Sequence, residues 1–200
     1  MLFILNQVLQ MGATPHSYAG DMRWDRLFDD LEAQWDAEEH RERDAEVADR
    51  TRRERATVPL LDRFVAQLSA EVRLRLLAGV EAVGVVDEVG DGWLLLDTRP
   101  GVLLVRLDGV RAWPNPSMRA APSKRARRFG VGYALRGISR DRRAVVVTDV
   151  TGGMLEGTVE AVGEDHFDLS EHPADAPRRA EHVRSRVAVP FSAVVCVRVA

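Results

Sequence analysis

The stretch GVVDEVGDGWLLLD, residues 84–97, is spelled almost again as GTVEAVGEDHFDLS, residues 157–170. Sliding the chain along itself by 73 residues superimposes the two stretches without a gap and places Gly84 on Gly157. Beyond them the match resumes at a shift of 84, because the second copy carries a longer polar loop. The chain therefore contains an internal repeat.

Each copy predicts a short helix followed by five short strands. Asp91-Gly92 is typical of a tight hairpin turn, because glycine tolerates the positive φ that such turns require. Leu94 and Leu96 align with apolar residues of the second copy, whereas Leu95 aligns with Asp168. Leu94 and Leu96 are therefore expected to face a core, and Leu95 to face outward.

Gly84 and Gly157 lie inside predicted strands, where glycine often marks a bend or bulge. A short sheet needs such a bend to close on itself. We therefore expect an α+β, mainly β fold with two tandem five-stranded barrels. The predicted segments are a poorly ordered extension 1–21, an N-terminal helix 22–57, a first barrel 58–114, a basic Pro-rich linker 115–129 and a second barrel 130–200.

Apolar residues recur at helical spacing near the N-terminus and predict an amphipathic helix whose apolar face docks a partner or forms a coiled coil. These residues are Trp24, Leu27, Phe28, Leu31 and Trp35. Further along, residues 36–55 are strongly charged, with Glu and Arg spaced four apart, as in a solvated helix. Met22 begins the regular pattern and is interpreted as an alternative start of the protein.

The composition describes a cytoplasmic protein. The formal net charge of −3 does not predict nucleic-acid binding by the whole surface, and Cys196 is the only cysteine, which excludes an intrachain disulfide. The N-terminal apolar run is interrupted by Asn6 and Gln7, so neither a signal peptide nor a membrane span is expected.

No motif predicts catalysis, a cofactor, a metal or a small-molecule substrate, so the chain is not expected to be an enzyme. The serines lack a nucleophile-elbow context, and Gly130-Val131-Gly132 is not followed by the Lys-Ser/Thr of a phosphate-binding loop. The histidines do not form a helical metal-binding pair. They stand at positions 16, 40, 166, 172 and 182.

Charge is concentrated between residues 111 and 143, where ten basic residues face one acid. By contrast, residues 22–56 hold twelve acids and eight bases. Arginines in a mobile Pro-rich linker and in the following helix could contact phosphates, although a solvated linker or neutralisation of the acidic helix explains the same charge. The candidate phosphate contacts are Lys124, Arg125, Arg127, Arg128, Arg136, Arg140, Arg142 and Arg143.

The succession of a helix, a strand, a bent glycine-containing strand with a hairpin and the final VAVPFSAVVCVRV resembles Sm-like and SH3-like small barrels. This resemblance implies that the last two strands, about 186–191 and 193–199, are edges able to pair between subunits. The Asn of the family's RNA-contacting hairpin loop is missing, because this chain has Gly90-Asp91-Gly92 and Glu164-Asp165-His166. The resemblance therefore does not predict uridine binding.

The pattern from MRWDRLFDDLEAQ to VPFSAV also resembles a group of uncharacterised actinobacterial proteins, some labelled Fis-family transcriptional regulators. A Fis-like protein would end in a helix-turn-helix, whereas FSAVVCVRVA predicts a strand.

Two functions remain open from the sequence. The first is non-enzymatic binding of RNA or DNA, in RNA metabolism or transcription, through the basic linker and the second helix. The second is a protein-interaction adaptor that uses barrel edges or the N-terminal helix to hold a protein partner or another copy of the chain.

Overall fold

The computed structural model describes residues 18–173 and 184–199, with side chains from residue 31 onward. In this part of the chain the helices are α1 (Tyr18–Ala56), α2 (Leu60–Val65) and α3 (Val131–Asp141). The strands are β1 (Glu71–Leu76), β2 (Glu81–Gly90), β3 (Trp93–Asp97), β4 (Val102–Arg106), β5 (Val110–Ala112), β6 (Ala144–Asp149), β7 (Met154–Val162), β8 (His166–Glu171), β9 (Ser185–Pro190) and β10 (Val194–Val199).

The chain divides into two compact units, Met1–Thr57 and Val58–Ala200. Helix α1 belongs to the first unit, and its side chains are exposed from residue 31 to residue 50. Ion pairs one turn apart support it, such as Arg41 with Glu38 at 2.7 Å and Arg50 with Glu54 at 3.1 Å. Among the described helices, none is long and apolar enough to cross a membrane.

The expected pair of five-stranded barrels is wrong. The ten strands form one antiparallel sheet in the order β5-β1-β2-β3-β4-β10-β6-β7-β8-β9. The outermost strands β5 and β9 do not pair with each other, so the described sheet is not closed. Strands β4 and β10 join its two halves, with Leu104 opposite Val197 and Val105 opposite Cys196.

The two halves share a sheet because the joining strands bury side chains on both faces. Leu103 and Leu104 are each 1% exposed, although neighbouring residues of a strand point to opposite faces. Leu103 packs in a first core with Phe64 and Leu94, whereas Leu104 packs in a second core with Phe167. A strand that is apolar on both faces must be covered on both sides, which an isolated barrel would not provide.

Strand β3 is also covered on both faces, as Leu95 shows. Its alignment with Asp168 predicts an outward side chain, but Leu95 is half-buried and packs against the second core. Leu94 and Leu96 are fully buried in the first core, as predicted. The alignment is misleading at Leu95 because residues of α3, from the second copy, lie beside it: Leu95 and Ile138 line the same hollow and pack against the same core.

The internal repeat is confirmed in the backbone. Gly84 lies opposite Val72 in the pairing of β1 with β2, and Gly157 lies opposite Val145 in the pairing of β6 with β7. Within each half the strand order is the same, with the fifth strand beside the first. We call α2 with β1–β5 the first half, and α3 with β6–β10 the second half.

Candidate functional site

The basic segment between the two halves, residues 115–129, contacts α2 at several points. The side chain of Arg63 on α2 donates to the backbone oxygen of Ser117 at 2.7 Å, and the Ala121 amide donates to the backbone oxygen of Asp62 at 2.8 Å. A 3-10 turn, Ala126–Arg128, follows and leads directly into α3. The predicted linker is thus in contact with α2 at both of these positions, Ser117 and Ala121.

Arg127 is the strongest of these attachments. Its Nη2 lies 2.6 and 2.7 Å from the two carboxylate oxygens of Asp62, a side chain that is only 8% exposed. A carboxylate this poorly hydrated needs a charged partner, because burial penalises an isolated charge. Arg127 therefore holds the segment on α2, and its charge is already paired with a carboxylate.

The other cations of the turn point to solvent. Lys124, Arg125 and Arg128 are exposed, and the guanidinium of Arg128 lies 5.7 Å from the ring centroid of Phe129. Arginine in this position keeps its charge accessible while its stem and plane rest on an aromatic ring.

Two further candidate cations, Arg136 and Arg140, lie on the exposed face of helix α3. The helix is amphipathic: Ala134 and Leu135 are buried in the second core, and Ser139 Oγ donates to the backbone oxygen of Val159 at 3.2 Å. Arg136 and Arg140, four residues apart, lie on the opposite, exposed face. Residues spaced four apart on a helix are neighbours, so these two cations lie close to each other.

The last two candidate cations follow the end of α3. Arg142 has a left-handed backbone conformation with φ of 53° and forms an ion pair with Glu160 at 3.5 Å. Arg143 is exposed and lies beside the cleft described next.

A cleft runs between α3 and strand β2. It consists of two adjoining hollows of about 460 and 390 Å³, and Asp87, Glu88 and Tyr133 line both of them. Arg125 lies at the first hollow, whereas Arg140 lies at the second. Volumes of this size are in the range of small-molecule sites in proteins.

A β-bulge places the two carboxylates at the cleft. The pairing of β2 with β3 shifts register between Val86 and Glu88, so Asp87 is the extra residue. Bulges re-aim side chains and are common beside functional sites. Within the described part of the chain, the side chains of Asp87 and Glu88 form no hydrogen bond or ion pair, and the same holds for the side chains of Arg125 and Arg140.

Aromatic residues form one wall of the cleft. Tyr133 is 41% exposed, and its ring centroid lies 4.5 Å from that of Phe129. Trp93, at the base of the first hollow, is fully buried, and its Nε1–H donates to the backbone oxygen of Phe129 at 2.8 Å. Trp93 is thus part of the core and supports Phe129, whereas Tyr133 is the accessible ring.

The sequence did not single out this cleft. Tyr133 lies more than forty residues after Asp87 and Glu88 along the chain, and only the packing of α3 brings it to them. One signal was present in the repeat: Asp87-Glu88 corresponds to Glu160-Ala161, so the first copy carries two acids where the second carries one.

The predicted docking face lies on α1. Leu31 is 42% and Trp35 is 76% exposed, whereas the side chains of Trp24, Leu27 and Phe28 lie outside the described residues. The other predicted docking elements, the outer sheet edges, are β5 and β9. Strand β5 has three residues and is soon followed by Pro114, and β9 ends at Pro190, which limits the backbone available to a partner strand.

The remaining ionisable groups have local structural roles. The Nδ1–H of His166 donates to the Asp165 carboxylate at 2.8 Å, and this hydrogen bond raises the pKa of His166 and lowers the pKa of Asp165. Burial raises the pKa of the Cys196 thiol, so this residue is an inert core group. Within residues 18–173 and 184–199, no cluster of three or more His, Cys, Asp or Glu residues could hold a metal ion.

Comparison of the chain with protein-family models, with curated proteins and with solved structures finds no match. The resemblance to Sm-like and SH3-like modules and to the actinobacterial group stays a prediction.

Proposed function

We propose that this protein is a non-enzymatic nucleic-acid-binding protein of the cytoplasm, which contacts phosphates through the basic segment and α3. The observation that carries the proposal is the grouping of exposed cations on two consecutive elements. Of the eight candidates, Arg127 and Arg142 are in ion pairs with carboxylates and Arg143 also interacts within the protein, so the contacts are assigned to the exposed cations Lys124, Arg125, Arg128, Arg136 and Arg140.

Phosphate contacts of this kind bind without sequence preference and depend strongly on salt. Each neutralised phosphate on a single strand contributes about 0.7 to the slope of log K against log salt concentration. Fluorescence anisotropy with labelled single-stranded and duplex RNA and DNA, at about 50 and about 200 mM salt, measures this slope.

The test variant combines Arg125→Gln, Arg128→Gln and Arg140→Gln. We expect weaker binding and a slope reduced by about 2 for single strands. A control with the same change in net charge combines three other exposed arginines of the same unit, Arg75→Gln, Arg99→Gln and Arg186→Gln.

Two outcomes would refute the proposal. The first is the absence of binding to every nucleic acid at about 50 mM salt, where phosphate contacts are strong. The second is an equal loss of affinity in the test and control variants, because binding would then depend on net charge alone.

A second candidate function is protein docking through α1, and the exposure of Trp35 favours it. Exposed tryptophan is unusual in a protein without a partner, and tryptophan is enriched among residues that dominate interfaces. Combined Leu31→Ala and Trp35→Ala substitutions should dissociate a partner or a second copy of the chain. Val47→Ala, on the same helix and 64% exposed, is the control. Unchanged oligomeric state and unchanged partner capture would contradict this candidate.

A further inference from the structure

The cleft between α3 and β2 has a charge arrangement that the fold does not explain. Carboxylates at a bulge stand with arginines at both ends of the same cleft, Arg125 at one hollow and Arg140 with Arg143 at the other. The side chains of Asp87, Glu88, Arg125 and Arg140 form no hydrogen bonds or ion pairs with other described residues, whereas Arg143 does interact within the protein. These four side chains of opposite charge around one cleft suit a ligand that carries both N–H donors and an anionic group.

The repeat provides an internal comparison. The residue that corresponds to Asp87 in the second half is Glu160, at an equivalent bulge in the pairing of β7 with β8. Glu160 forms an ion pair with Arg142, whose counterpart in the first half is Ser69. Ser69 and Arg142 share a left-handed backbone conformation, with φ of 64° and 53°. The scaffold is therefore the same, but the first half lacks the cation that would neutralise its carboxylate.

The ligand must also offer a flat surface. Tyr133 lines both hollows with its partly exposed ring, supported by Phe129. Bases of single-stranded nucleic acids and of nucleotides stack on such rings whatever their sequence, because every base has a π-face. The stacked base would place its edge toward the carboxylates.

The carboxylates select among the bases. Guanine carries two adjacent donors, N1–H and the N2 amino group, which one carboxylate accepts together. Adenine and cytosine each place a ring-nitrogen acceptor beside their amino group, and uracil places its single N–H between two carbonyl oxygens. A carboxylate only accepts hydrogen bonds, so it repels these acceptors and favours guanine.

We infer that this cleft binds the guanine base and phosphate of a guanine nucleotide, free or within a strand. The base stacks on Tyr133 and donates N1–H and N2–H to Glu88, which is more buried than the exposed Asp87 and therefore less hydrated. Arg140 at the second hollow binds the phosphate. Arg125 at the first hollow is placed for a neighbouring phosphate of a strand. Base selection here deepens the proposed function and, for a strand, rests on it.

Isothermal titration calorimetry on the full chain tests the inference with guanosine, inosine, adenosine, cytidine and uridine 5′-monophosphates. Guanosine monophosphate should bind about tenfold or more tightly than the adenosine, cytidine and uridine nucleotides, because a good bidentate contact to a base discriminates by about tenfold to a hundredfold. Inosine monophosphate, which keeps N1–H and lacks the N2 amino group, should be intermediate.

Glu88→Gln should abolish the preference for guanine. Glu71→Gln, at an exposed position of β1, makes the same change in charge and should leave the preference unchanged. Arg140→Gln should weaken the binding of guanosine monophosphate and leave the binding of guanosine, which has no phosphate, unchanged. Circular dichroism and thermal melting establish that each variant is folded. Equal affinities for all five nucleotides, or a full guanine preference in folded Glu88→Gln, would overturn the inference.

Oligonucleotides separate this inference from the proposed function. We compare an adenine-rich strand with strands in which two positions carry guanine or inosine. If the strands bind with a guanine preference that Glu88→Gln removes, the proposed function and this inference are both supported. If they bind without a preference, the proposed function is supported and this inference is overturned. If guanosine monophosphate binds selectively and no strand binds at low salt, the ligand is a free nucleotide and the proposed function falls. If neither binds, both fall.

Discussion

Replacing Leu104 by alanine should destabilise both halves of the sheet, although its side chain packs in the second core only. Leu104 lies on β4 of the first half and is 1% exposed, so the substitution removes three buried carbons. Their transfer to water costs about 2.4 kcal/mol, at about 0.8 kcal/mol each. The cavity left behind raises the total to about 3 to 4 kcal/mol.

Urea denaturation measures this loss, and hydrogen exchange followed by mass spectrometry locates it. Peptides from β2–β3 and from β7–β8 should lose protection together, because the shared strands β4 and β10 make the unit unfold cooperatively. Leu60→Ala removes the same atoms from a leucine that is 41% exposed and should cost less than about 1 kcal/mol. Protection lost from β7–β8 alone, with β2–β3 unchanged, would show that the halves fold independently and would refute the reasoning.

The repeat and the hairpins were within reach of the sequence, because both depend on local chemistry. The turn at Asp91-Gly92 forms as predicted: Gly90 pairs with Trp93 across it, and Gly92 has φ of 76°. The shift of 73 residues likewise places equivalent pairs of strands in the same register. Turn geometry and side-chain alternation are encoded within about ten residues, so one sequence suffices to read them.

The joining of the halves was not predicted, although its signal was visible. LLV at 103–105 and VVCV at 194–197 are continuous apolar runs rather than alternating ones, which is typical of strands covered on both faces. We attributed them to two closed barrels because the repeat suggested self-contained copies. Which strand lies beside β4 depends on contacts between residues some ninety positions apart, and a local pattern does not contain that information.

The sequence predicts that cations are concentrated in this part of the chain, but not which of them pair with acids. Sequence alone does not distinguish among the eight candidate cations. In the structure, Asp62 neutralises Arg127 and Glu160 neutralises Arg142. Asp62 lies in α2 and Glu160 lies in β7, so these pairings depend on tertiary structure. The sequence did not reveal the cleft for the same reason, because Glu88 and Arg140 line it together only after α3 has packed.

Three further substitutions probe single features of the second half. Gly157→Ala would place a Cβ 2.0 Å from the backbone oxygen of Ser170 and should cost about 2 kcal/mol or more in thermal melting. Gly137→Ala, in α3 with no atom within 4 Å of the added carbon, should instead stabilise by about 0.5 to 1 kcal/mol, and equal effects would contradict this account. The pKa of His166 should lie above its ordinary value of 6.5 in an NMR titration, because Asp165 holds the protonated ring. Since the folded pKa is the higher one, the stabilisation is present below the unfolded pKa and is lost as pH rises through the folded pKa. Asp165→Asn should return the pKa of His166 toward 6.5, and a titration that Asp165→Asn leaves unchanged would assign the shift to another cause.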